Sequence, residues 1–248
     1  CTFSAFYSCF LEKLSQDMFK GNFLLVLFLY LLSIFPLRFL HFLAHFIGFF
    51  LNIVPNNLKK VTKINLTMCF PQKTQKEINL LTNKSLKETL KNLLESGKCW
   101  IAYSQRSFNK TLEVEGGALL EDSLSEGKGV ILFTPHSGNI EILINYLSKD
   151  FGCTIPYTPS KIASLDLLVK QARESMGANM VPASSSGIKS LLKTLQKGGL
   201  IALASDQVPN KGSGIISTFF GTQALSVSLV ASLAKKTQSP CHSVFCLR

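Results

Sequence analysis

The residues best suited to chemistry lie together in Pro135-His136-Ser137-Gly138-Asn139-Ile140-Glu141. They follow the apolar run GVILFT (129–134), which reads as a buried strand. Histidine titrates near neutrality, so an imidazole at a strand's carboxyl end is a candidate general base toward a hydroxyl. Glu141 comes five positions later, in the first turn of the next helix, within reach of the ring. There it would hold the tautomer and stabilise the imidazolium. The helix start adds free N–H groups suited to an anion. H-x4-E spacing also arises by chance, and the competing reading is a histidine that caps a strand–helix turn.

Other candidates are more dispersed. Lys211, Gly212, Ser213 and Gly214 could form a backbone nest for an anion, or an ordinary Gly-rich turn. His41 and His45 are four apart, but no third ligand accompanies them, and no metal site is expected.

These positions need a scaffold. From Thr111 onward, short apolar runs alternate with helical ones. LEVEG (112–116), GVILFT, TIPYT (154–158), ANMVP (178–182), LIALAS, IISTFF (215–220) and 242–247 read as strands. Helices are expected to end near Gly127 and to cover about 139–149, 162–176, 186–197 and 226–236. Such alternation indicates an α/β fold with a mostly parallel central sheet flanked by helices, whose active site lies beyond the strands' carboxyl ends. Residues 56–100 form a helical lead-in with nine Lys and three Glu, and Thr74 with Glu77 has capping-box spacing.

Residues 1–55 are expected to anchor the protein to a membrane, and 56–248 to form the α/β domain with its lead-in. The oiliest stretch, 23–54, is interrupted by Pro36. It reads as an N-terminal hydrophobic membrane helix, either kinked or divided into a short buried segment and an interfacial helix. The 248 residues are 46% hydrophobic and 17% charged, with a mean hydropathy of +0.25, which excludes a disordered chain. Twenty-six Lys+Arg against fifteen Asp+Glu give +11, so anionic partners are expected. No nucleic-acid motif accompanies the charge. Seven Cys without a C-x-x-C pair suggest reduced thiols facing the cytosol. The chain begins with Cys1 and stops at Arg248 in a strand-like run, so a longer natural protein is expected.

Several blocks, in order over about 56–248, resemble the bacterial lipid A late acyltransferases of the lysophospholipid acyltransferase superfamily. They are NLTMCFP (65–71), PHSGNIE (135–141), YTPSKIASLD (157–166), GIKSLLKTLQKGGLIALASDQ (187–207) and GSGIISTFFGTQALS (212–226). The resemblance implies transfer of a fatty acyl chain from an acyl carrier protein thioester to a hydroxyl of a lipid A precursor. It further implies His136 as general base, Glu141 as its partner, and a location on the cytoplasmic side of the inner membrane. Through the same resemblance it implies that the Arg173 fork holds a phosphate or the oxyanion and that Asp206, after LIALAS (200–205), is functional, where the residues alone would equally fit a surface arginine and a loop cap. A thioester is already activated, so neither cofactor nor metal is required. Thr158 stands where the family pattern has Arg, which leaves Lys161 as a candidate substitute in acceptor binding. A glycerophospholipid or lysophospholipid acyltransferase and a catalytically silent lipid-binding relative are the alternative readings.

Overall fold

Proline at position 36 has no N–H to continue a helix, and its extended backbone separates two apolar helices. These are α1 (Phe23–Ile34) and α2 (Leu37–Ile53). The computed structural model describes residues 23–102, 112–209 and 214–248. Within them, no single helix is long and apolar enough to cross a membrane. Helix α2 and the next helix, α3 (Asn57–Cys69), do reach that length and composition together, but they are bent by 84°. Pro36 thus divides the apolar stretch into two helices, the second of the two arrangements expected, and neither helix alone has the length of a span.

Helix α2 is two-sided. Leu40, Ala44 and Gly48, four apart, are buried and face α4 (Gln75–Gly97), where Leu90 and Leu94 complete the cluster. The other side exposes Phe42, Phe46, Phe49 and Ile53. Helix α3 carries Lys59, Lys60 and Lys63 beside exposed Leu58, Val61, Ile64 and Met68. Helix α4 starts at the expected capping box, in which Thr74 and Glu77 satisfy each other's backbone N–H groups. It ends in a π-helical turn, Lys98–Ala102.

After α5 (Gly117–Ser125) the chain alternates: β1 (Val130–Thr134), α6 (Ile140–Phe151), β2 (Thr154–Tyr157), α7 (Ala163–Ser175), β3 (Asn179–Pro182), α8 (Ser185–Gln196) and β4 (Leu200–Ala204). A hairpin follows, formed by β5 (Ile215–Phe219) and β6 (Thr222–Ser226), and then α9 (Leu229–Thr237) and β7 (Cys241–Ser243). The main sheet has the order β3-β2-β4-β1-β7, and every pairing in it is parallel. Alternation along β1 and β4 fills two cores. Val130, Leu132, Leu200 and Ala202 meet α5 and α6, whereas Ile131, Ile201 and Leu203 meet α8 and α9. Both faces are thereby covered, as unbroken apolar strands require.

Two expected elements differ. Residues 112–116 join no strand among the described residues. The helix expected from Ser226 begins at Leu229, because residues 222–226 pair antiparallel with β5. The turn between the two strands is Phe220–Gly221, both at positive φ, which is the tight connection that suits a twisted hairpin.

Candidate functional site

The site follows from the register of β1 and β4. Thr134 lies opposite Ala204 in the parallel ladder. His136 and Asp206 each come two residues later, so both leave the sheet at the same edge. The His136 Nδ1 lies 2.6 Å from Asp206 Oδ1, and the His136 backbone N–H donates to Oδ2 at 2.8 Å. One carboxylate thus fixes both the ring and the backbone beneath it. Burial acts to raise the Asp206 pKa, but these two hydrogen bonds outweigh it and hold the carboxyl below its ordinary value.

Glu141 does not take the place expected for it beside the imidazole. Its carboxylate is gripped bidentately by Arg173, with Nη2 to Oε1 at 2.6 Å and Nε to Oε2 at 3.1 Å. Both side chains are largely buried, 14% and 9% exposed, so the fork-to-fork pair is shielded from water. The guanidinium also stacks on the Tyr157 ring, 5.8 Å from its centroid. The expected pairing of His136 with Glu141 is therefore replaced by two others. His136 goes with Asp206, and Glu141 with Arg173.

The loop that carries His136 is held from below. The Asn139 side-chain oxygen caps α6, accepting from the backbone N–H of Glu141 and Ile142 at 3.1 and 3.2 Å. Gly138 has φ +67°, and a Cβ there would come within 1.7 Å of the Cys246 carbonyl oxygen. Only glycine allows that approach. An Asn just before a helix is a cap signal legible in sequence.

Asp166 closes the YTPSKIASLD segment, accepting from the Tyr157 hydroxyl and, at 2.6 Å, from the Ser160 N–H. Lys161 lies exposed on the turn before α7 and enters no hydrogen bond or ion pair among the described residues. Gly214, at φ +89°, stands at the base of the hairpin. Lys211 and Gly212 lie outside the described residues. A cavity of about 240 Å³ opens beside the site. His136, Glu141 and Arg173 line its polar side, and Leu143, Leu147 and Ile155 are part of its apolar wall. This arrangement supplies an oriented imidazole, a fixed cation and room for an apolar chain.

A family model described as "Bacterial lipid A biosynthesis acyltransferase" matches residues 10–248. A Haemophilus influenzae lipid A biosynthesis acyltransferase is 25% identical over 90% of this chain and 70% of its own. The Escherichia coli lipid A biosynthesis lauroyltransferase is 22% identical over 73% of this chain and 58% of its own. The palmitoleoyltransferase of the same organism is 21% identical over 68% and 55%. The matches thus span little more than half the length of the two E. coli relatives.

Proposed function

Because the chain belongs to the bacterial lipid A biosynthesis acyltransferase family, we propose that it moves a fatty acyl chain from an acyl carrier protein thioester to a hydroxyl of a lipid A precursor. The observation that carries this reading is the His136–Asp206 pair, whose imidazole lines a largely apolar cavity. With Nδ1–H donated to Asp206, Nε2 is the basic nitrogen. It takes the acceptor hydroxyl's proton as that oxygen attacks the thioester carbonyl. The tetrahedral oxyanion then collapses, the C–S bond breaks, and the carrier thiolate leaves with the proton returned by the imidazolium.

Arg173 lines the same cavity as His136. Its grip on Glu141 fixes the guanidinium plane, and its remaining N–H groups serve a lipid phosphate or the oxyanion. The cavity wall of Leu143, Leu147 and Ile155 suits the acyl chain. The lysines of α3 and the exposed phenylalanines of α2 suit the cytoplasmic face of an anionic inner membrane, where such acceptors reside. The same net positive charge suits an acidic carrier protein.

The test is acyl transfer in vitro from a radiolabelled acyl carrier protein to a Kdo-bearing lipid A precursor, with His136→Ala as control. Label should move to the lipid with the natural sequence and not with the variant. Label on an added lysophospholipid instead would replace the acceptor. No transfer to any lipid by membrane-reconstituted protein would overturn the reading.

A further inference from the structure

The buried acid Glu95 has no role in the chemistry above, yet it is only 4% exposed. A buried carboxylate persists only when its oxygens are well satisfied. Its Oε1 lies 2.5 Å from His41 Nε2, and its Oε2 accepts from the Asn139 side-chain amide at 2.6 Å. Arg248 adds Nε to Oε1 at 3.0 Å and Nη2 to Oε2 at 2.8 Å.

These partners come from three separate parts of the fold. His41 is on the apolar helix α2, and Arg248 follows β7. Asn139 is the cap of α6, three residues after His136 and two before Glu141. An amide has one oxygen and one NH₂, and Asn139 uses them in opposite directions. The oxygen receives the two N–H groups of α6, and the NH₂ points to Glu95. Glu95 thus selects the orientation in which Asn139 can cap. A flipped amide would present NH₂ to the helix N–H groups and oxygen to the carboxylate, which is repulsive at both ends. The base of α4 is itself tied to the break between α1 and α2, because Lys98 Nζ donates to the carbonyls of Ser33 and Phe35, each at 2.8 Å.

We propose that Glu95 is a positioning residue for the acyl transfer. Through Asn139 it fixes the N-terminus of α6, and hence the places of His136 and Glu141. Through His41 it links that loop to the apolar helices. The catalytic part of this inference rests on the function proposed above; the structural part does not.

The experiment compares Glu95→Ala, Glu95→Gln, Asn139→Ala and the double variant Glu95→Ala/Asn139→Ala in the full chain, reconstituted in vesicles. Small misplacement of reacting groups is costly, so kcat per folded enzyme should fall about 10- to 100-fold in Glu95→Ala with KM for the acyl donor nearly unchanged. Glu95→Gln, whose side-chain oxygen still accepts from Asn139, should recover most of the loss. The double variant should be no slower than the worse single one, because both break one connection. Amide hydrogen exchange gives a readout independent of activity. Peptides covering Glu141 and Ile142 should exchange faster in Glu95→Ala, while those from β1 and β4 stay unchanged. Unchanged exchange at the start of α6 would overturn the proposal whatever the activity. Wild-type kcat in Glu95→Ala, or losses that multiply in the double variant, would overturn it too. A wild-type chain that transfers no acyl group, together with the predicted faster exchange in Glu95→Ala, would instead overturn the proposed function and leave the structural part standing.

Discussion

Nδ1 of His136 stands 2.6 Å from Oδ1 of Asp206, a residue seventy positions away in sequence. Because β1 and β4 are neighbours in register, this pair is a direct product of sheet order. Asp206→Asn should keep the fold but free the imidazole to adopt the wrong tautomer. Acyl transfer should fall by about 100-fold or more, and His136→Ala by about 10²–10⁴. The two losses should not multiply in the double variant, since each disables one unit. Initial rates with a saturating acyl donor measure this, and multiplicative losses would show that the residues act separately.

The sign of the pH dependence also follows. Asp206 is held below its ordinary value, so its contribution to stability is complete above the unfolded pKa of about 3.9 and is lost as pH falls through the lower folded value. The gap in thermal midpoint between wild type and Asp206→Asn should therefore be constant just above that pH and narrow below it. Thermal unfolding in detergent across this acid range would check the point. A gap that widens on acidification would contradict the hydrogen bonding seen here.

The Arg173–Glu141 pair separates stability from function. Removing one partner of such a largely buried pair leaves an uncompensated charge and costs about 3–5 kcal/mol. Either Arg173→Met or Glu141→Leu alone should lower the melting temperature by several degrees. The double variant should regain most of that stability, because apolar replacement of a buried pair is often neutral. Activity should stay lost if Arg173 serves the lipid phosphate or the oxyanion. Recovery of both together would reduce the pair to a structural tie.

Much of this was legible in the sequence, for identifiable reasons. Unbroken apolar strands between amphipathic helices specify a covered parallel sheet, and β1, β2, β3 and β4 fall where expected. His136 and Glu141 stood out at a strand end and in a helix's first turn, and Arg173 and Asp206 only through the resemblance of the blocks around them. Their pairing did not, because it depends on which strands are neighbours, and the order β3-β2-β4-β1-β7 is not written in any local pattern. Glu95 was invisible for a related reason. On α4 it reads as one more polar position next to Leu94, and only packing places His41 and Asn139 against it. The β5–β6 hairpin carries no strong local mark either, since its two-residue turn is Phe220–Gly221 rather than an Asn-Gly or Asp-Gly pair.

Gly138 offers a backbone test. With φ at +67° and the Cys246 carbonyl in the way, Gly138→Ala must move the loop or the segment around Cys246. Transfer should fall at least about 10-fold, in line with the cost of small displacements. Gly152→Ala, also at positive φ but with open space around the added Cβ, is the control for backbone strain alone and should remain active. Equal rates in the two variants would show that the close approach to Cys246 is unimportant.

The membrane contact proposed for α3 has its own measure. Lysines near an anionic surface contribute about 1 kcal/mol each. Changing Lys59, Lys60 and Lys63 to Gln should therefore lower partitioning into phosphatidylglycerol vesicles about 100-fold, with little effect on neutral vesicles. Co-sedimentation at two salt concentrations tests this, and binding that is unaltered by the substitutions would remove α3 from the contact surface.

The central claim is acyl transfer to lipid A by the His136 site. It is tested most directly by mass spectrometry of lipid A from a late-acyltransferase-deficient bacterium expressing the full-length gene, beside a His136→Ala control. The account predicts one added acyl mass in the first strain and none in the control. An unshifted lipid A, with the protein shown to be present in the membrane, or the same added mass in both strains, would contradict it.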